Sequence, residues 1–198
     1  MVRPLVFMLP QAILFWAVWF WSFMPEYKIV QRAREEARHE DSRDAGSVRV
    51  IMLGNWIGLL LAFFLAFTPI GQFPVWLRSD AYYLGVAMMI AGSLLRRRCW
   101  RELGKHFTGD VKAAADQPVI QTGPYRWVRH PSYTAGMLMF VGIGVALTNW
   151  LSIAVVLAIS AAAYSYRVRV EERALLAEIG QPYADFMRTR KRFIPFVV

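Results

Sequence analysis

The apolar positions of this chain fall in long blocks. They show neither the alternation of a strand nor the one-sided stripe of a soluble helix. A helix needs about 20 apolar residues to cross roughly 30 Å of hydrocarbon. Residues 5–24 meet that length, with Gln11 and Ser22 as polar interruptions, Pro10 as a kink and Pro25 as a stop. Trp16, Trp19 and Trp21 suit the aromatic belt at a membrane surface. A second block covers 51–70 and carries Gly54 and Gly58, a small-residue pair that permits close helix contact. A third, 81–96, is short and is lengthened by Arg96, Arg97 and Arg98, whose stems lie along apolar surface while their heads reach water. Blocks 133–148 and 150–166 are separated by Asn149, which leaves room only for a tight turn and predicts a helical hairpin. The pattern predicts an all-α polytopic membrane protein, a single domain over 1–198 with about five transmembrane helices.

Charge gathers between these blocks. Lys28, Arg32, Arg34, Arg38, Arg43 and Arg49 lie in the first connection, within a mixed-charge stretch that reads as a solvated helix. Arg96, Arg97, Arg98, Arg101, Lys105, Lys112, Arg126 and Arg129 lie in the third, and seven further basic residues follow 166. Cytoplasmic loops carry the excess of Lys and Arg. Five spans with the N-terminus outside therefore put all three basic segments, and the C-terminus, in the cytoplasm. The first block has no small-residue cleavage site after it, so it is expected to be retained as a span.

Composition agrees. The chain of 198 residues is 57% hydrophobic and 15% aromatic, more apolar surface than a soluble domain of this length can hide. The net charge of +9 would suggest nucleic acid in a soluble protein. Here it fits anionic lipid head groups, and no nucleic acid partner is expected. The lone cysteine, Cys99, allows no internal disulfide. His39, His106 and His130 lack ligand spacing, so no metal site is expected. Ionisable residues are almost absent from the apolar blocks, which places any chemistry at the basic rim, in 97–132 and 167–198.

Two rim segments hold candidate chemistry. The first is QTGPYRWVRHPSY, 121–133, which combines a Gly-Pro turn, two arginines, His130 and three flat polar rings before a helix that Pro131 can open. Free amides at such a helix start suit a carboxylate or phosphate. An interfacial anchor explains the same residues equally well. The second is YSYRVRVEER, 164–173, where Arg167 and Glu171 share one helix face and Arg169 and Glu172 another. Intrahelical ion pairing is the plain explanation. A carboxylate for an amine or ribose, with an arginine fork for a carboxylate substrate, is the functional one.

Taken together, GPYR at 123–126, RHPSY at 129–133, Glu171-Glu172 and the tail GQPYADFMRTRKRFIP at 180–195 resemble the isoprenylcysteine carboxyl methyltransferases and their prokaryotic relatives, a group that also includes phospholipid methyltransferases. The resemblance covers 103–195 and implies a methyltransferase using S-adenosylmethionine. It implies that Gln117, Pro118, Val119, Ile120 and Tyr125 wrap the cofactor, that His130, Pro131, Ser132 and Tyr133 contribute next, and that Glu171 completes the pocket. It implies that Arg167 anchors the carboxylate of the methyl acceptor, with Arg129 also on the substrate side. The family often has a histidine where this chain has Gln117. The expected acceptor is lipidic or prenylated and approaches sideways through the bilayer.

Three other readings compete. A phospholipid or small-molecule methyltransferase could use the same scaffold. A membrane sterol-type reductase using NADPH has a similar cytoplasmic arrangement, but often carries Asn before the tyrosine and Glu shortly after it, where this chain has Ser132 and Ala135-Gly136. A non-catalytic scaffold with a lipid-binding basic rim fits the composition alone.

Overall fold

A computed structural model describes residues 3–36, 46–104 and 118–195. Six α-helices organise them: α1 (Gln11–Glu36), α2 (Ser47–Ala66), α3 (Val75–Leu103), α4 (Pro131–Ala146), α5 (Trp150–Ile179) and α6 (Gln181–Thr189). No strand occurs among the described residues, which contain two isolated bridges, Gln72 with Asn149 and Val128 with Lys191. Helices α2 and α5 are long and apolar enough to cross a membrane, and α4 is a shorter apolar helix. On α2, Leu53, Trp56, Ile57, Leu60 and Phe64 are exposed, so this face requires lipid to cover it.

The first block differs from the sequence expectation. Leu5–Phe7 forms a short 3-10 helix, and α1 starts only at Gln11, after Pro10, because the residue before a proline is pushed out of helical geometry. Pro25 does not stop α1, which runs on to Glu36. Proline lacks the N–H that would bond the carbonyl four residues back, here that of Trp21. Arg97 Nη2 supplies a replacement, donating to Trp21 O at 2.7 Å, while its guanidinium lies 4.5 Å over the Trp21 ring. Trp16 and Trp19, both half-buried, pack with Phe7, Phe15 and Phe63 in a cluster of rings against the core.

The other blocks shift at their ends. Helix α2 begins at Ser47 and closes at Ala66 instead of 70, where the Thr68 hydroxyl bonds Leu65 O and the Gln72 amide bonds Ala66 O. Helix α3 extends the third block at both ends. The predicted hairpin is present: α4 ends at Ala146 and α5 begins at Trp150. Asn149 caps α5 by accepting from the amides of Leu151 and Ser152, and its own amide donates to Ile70 O at 2.8 Å. One buried side chain thereby joins α5 to the turn after α2.

Helices α3 and α4 touch backbone to backbone. A Cβ built on Gly85 would lie 2.3 Å from Ala146 N, and one on Gly142 would lie 2.7 Å from Gly85 O. Gly54 and Gly58 face Ile159 and Ala163 of α5, but at 3.4–3.6 Å, ordinary contact distance. At the far end of this packing, α2, α3, α4 and α5 bring Ser47, Arg96, Ser132 and Arg167 to a common rim.

Candidate active site

Pro131 is the first residue of α4, so the residues around it sit at a helix N-terminus. Arg96 Nη1, from α3, donates to Ser132 O at 2.7 Å and to Ser132 Oγ at 3.1 Å. This side chain thus holds the first turn of α4 against α3. Upstream, the 3-10 turn Gly123–Arg126 buries Tyr125. Gly123 has φ +54, a backbone conformation that favours glycine, and the end of the Glu102 side chain lies against it, 2.6 Å from where a Cβ would be. Glu102 also accepts from the Thr122 hydroxyl at 2.9 Å and pairs with Arg98.

Tyr133 faces α5. Its hydroxyl donates to Glu171 Oε2 at 2.7 Å and accepts from Arg167 Nε at 3.2 Å. Its ring lies 5.3 Å from that of Tyr164. Arg167 is only 4% exposed, and its Nη1 donates to Ser47 Oγ at 2.7 Å. Glu171 remains half-buried. The predicted residues Tyr133, Arg167 and Glu171 are therefore joined, although not through the intrahelical pairing that their spacing suggests.

Consecutive helix residues point about 100° apart, so Glu172 meets different neighbours. Its Oε1 accepts from Arg129 Nε at 2.9 Å and lies 3.2 Å from His130 Nε2. Its Oε2 accepts from Arg192 Nε at 3.0 Å and Nη2 at 2.7 Å. Burial alone would raise its pKa, but hydrogen bonds from His130 and Arg192 and the positive charge of Arg129 outweigh it, and the carboxyl is held down at about 2. Arg129 also donates to Met187 O and Arg190 O. The tail runs alongside: Arg129 N bonds Lys191 O at 2.8 Å, His130 N bonds Arg192 O at 2.9 Å, and Thr134 Oγ1 bonds Phe193 O at 2.8 Å.

The remaining predicted residues are less gathered. Pro118 is exposed, and Val119 and Ile120 are half-buried. Gln117 lies outside the described residues. His130, Pro131 and Ser132 are all buried, with the His130 ring 5.8 Å from Tyr133. Burial raises the Tyr125 phenol well above its ordinary value, and the charges of Cys99, Glu171 and Tyr133 add to the effect. Tyr183, buried on α6, is raised by burial and then by Glu171 and Glu172. Burial also pushes the Cys99 thiol up to about 11, so it is no nucleophile near neutral pH. Among the described residues no group of three or more His, Cys, Asp or Glu could hold a metal.

Sequence reasoning missed Ser47, and it singled out Glu172 and Tyr183 only within their motifs, with Glu172 paired to Arg169 rather than to Arg129, His130 and Arg192. The adjacent glutamates did carry a signal, since neighbouring carboxylates on a helix must face different surroundings. Nothing local to Ser47 points to an arginine 120 positions away.

The family model for isoprenylcysteine carboxyl methyltransferases matches residues 85–177. A protein-S-isoprenylcysteine O-methyltransferase of Tribolium castaneum is 30% identical over 116 residues, covering 58% of this chain and 41% of the relative. One from Saccharomyces cerevisiae is 30% identical over 116 residues, covering 58% of this chain and 48% of the relative. The matched stretch thus spans less than half the length of either relative. The solved structure of the eukaryotic intramembrane Ras methyltransferase ICMT, determined without a monobody, aligns over 98% of this chain and 70% of that one. Its TM-score is 0.63 at 22% identity, a likeness of fold. The chain thus shares the fold of that solved structure, and its segment 85–177, which runs through the rim, resembles the isoprenylcysteine carboxyl methyltransferase family.

Proposed function

We propose that this chain is a membrane-embedded methyltransferase that uses S-adenosylmethionine and methylates the carboxylate of a lipidic thiol acid. The observation that carries the reading is the direct link between Tyr133 on α4 and both Arg167 and Glu171 on α5. It joins an acidic group suited to a cationic cofactor with a cationic group suited to an anionic acceptor. When bound, S-adenosylmethionine supplies a methyl group on a positively charged sulfur. Residues here suit such a ligand: Glu171 offers a half-buried carboxylate for ammonium or ribose hydroxyls, Tyr125 and Tyr133 offer rings, and 118–120 lead into the turn. His130, Pro131 and Ser132 shape the wall between them, and Gln117 extends the same segment.

A carboxylate acceptor is already ionised at neutral pH, so no general base is needed. What remains is positioning. Arg167 binds the acceptor by charge-assisted hydrogen bonds, and its burial keeps water from weakening them. Arg129 holds the rim together on the substrate side through Glu172. In this reading the chain spans the bilayer five times, with the N-terminus outside and the rim in the cytoplasm, where the cofactor is found. The lipid tail of the acceptor stays in the bilayer and slides between helices.

The test separates two roles. Arg167→Ala removes an arginine–carboxylate contact of about 3 kcal/mol, so turnover falls roughly 10²-fold while calorimetry with S-adenosylmethionine finds binding intact. Glu171→Ala weakens that binding. Cofactor affinity unchanged in the Glu171 variant would remove its assigned role. Absence of methyl transfer by the unaltered protein to lipidated thiol acids would remove the reading itself.

A further inference from the structure

We infer that Ser47, the first residue of α2, is a positioning residue that aims Arg167 at the acceptor, an inference that rests on the methyl-transfer reading above. Ser47 lies far outside the 85–177 segment that defines the family match. Its side chain is fully buried, and its Oγ accepts from Arg167 Nη1 at 2.7 Å. The placement follows from the local chain. Gly46, at φ 73 and ψ 10, turns left-handed immediately before α2 and sets Ser47 at the start of the helix. The N-cap, Gly46, has no side chain to cap the helix, and the Ser47 hydroxyl oxygen accepts from the guanidinium.

An arginine side chain gives up rotamer freedom when it is fixed. The contacts of Arg167 before any substrate arrives include Ser47 at Nη1 and Tyr133 at Nε, on different nitrogens. A planar fork held at two points can neither rotate nor slide freely. An incoming carboxylate then meets a donor set already oriented, and the ordering cost does not fall on the binding step. The same hydrogen bonds run on from Tyr133 to Glu171, so the start of α2 is linked through Arg167 to the cofactor-side carboxylate.

The experiment uses the full chain in lipid nanodiscs with S-adenosylmethionine and a set of S-prenylated thiol acids. Acceptor KM and kcat are measured beside calorimetric affinity for the cofactor. Ser47→Ala removes a neutral acceptor from a charged donor, and kcat/KM for the acceptor should fall about tenfold, mostly through KM, with cofactor affinity unchanged. Ser47→Thr keeps the hydroxyl and should restore the acceptor constants. A purely structural role would lower cofactor affinity and acceptor binding together, and that outcome overturns the proposal. So does wild-type kcat/KM in a folded Ser47→Ala protein, which would leave the methyl-transfer reading standing. Should Ser47→Ala fail to fold, the nearly isosteric Ser47→Cys, a weak acceptor, is read against the same outcomes. An unaltered protein that methylates none of these acids overturns both inferences.

Discussion

Replacing Glu172 with alanine should release the tail from the start of α4. The carboxylate is 3% exposed and receives Arg129, His130 and Arg192. Its loss leaves the Arg129 guanidinium without this partner at a side chain only 9% exposed. Removing one member of a buried pair costs about 3–5 kcal/mol. Arg192 is 39% exposed, so solvent screens its share, which adds less than about 1 kcal/mol. A working figure of ~3 kcal/mol, at 1.4 kcal/mol per factor of ten, raises the population of the opened tail roughly 10²-fold. Limited trypsin digestion reads that population when opening and closing are fast relative to cleavage. The bonds after Lys191 and Arg192 report it, because their carbonyls are held by the amides of Arg129 and His130. Their cleavage should accelerate by roughly two orders of magnitude in Glu172→Ala, and Glu171→Ala should leave it as it is. A wild-type cleavage rate in the Glu172 variant would refute the claim that this carboxylate fastens the tail.

Further outcomes follow from the same contacts. The folded Glu172 carboxyl titrates at about 2, below its ordinary 4.5, so its contribution is complete above that ordinary value and is lost as pH falls from it toward 2; amide exchange at Arg129 and His130, corrected for intrinsic rates, should lose protection over that interval and stay flat above it. Arg97→Ala removes the exposed hydrogen bond to the Trp21 carbonyl and should cost about 0.5–1.5 kcal/mol. Pro25→Ala, which restores the missing N–H, should recover part of that loss, so a thermal-melting double-mutant cycle that comes out additive would argue against the compensation. Gly85→Ala forces a methyl against the α4 backbone and should block folded expression, whereas Gly58→Ala, with 3.4 Å available, should be tolerated; detergent-solubilised yield and monodispersity distinguish them.

The sequence revealed blocks better than boundaries. Apolar length identified where helices lie, and the single residue Asn149 predicted the hairpin because no longer connection fits. The end of α1 was misread because Pro25 is a helix breaker only when nothing replaces its lost hydrogen bond, and the replacement comes from Arg97, far along the chain. The contacts of Trp16 and Trp19 with Phe15 and Phe63 were not legible, since composition does not show which rings a tryptophan meets. At the rim, the motifs singled out Tyr133, Arg167 and Glu171, which do meet. Local spacing favoured pairs within α5, but a helix that ends against other segments offers its charges better-placed partners there. Ser47 had no motif at all, and only tertiary packing brings it to Arg167.

The strand-like pairing of 128–130 with 191–192 has a consequence for biogenesis. The contacts made by Arg129 and Thr134 with this tail span 58 to 61 positions. At ribosomal rates of about 5–20 residues per second, several seconds separate synthesis of the two partners. The first turn of α4 is therefore synthesised seconds before the segment that sets it exists. Membrane insertion and assembly of the rim become separate events, so a nascent chain arrested before residue 190 would integrate into the bilayer while its polar end stayed unassembled.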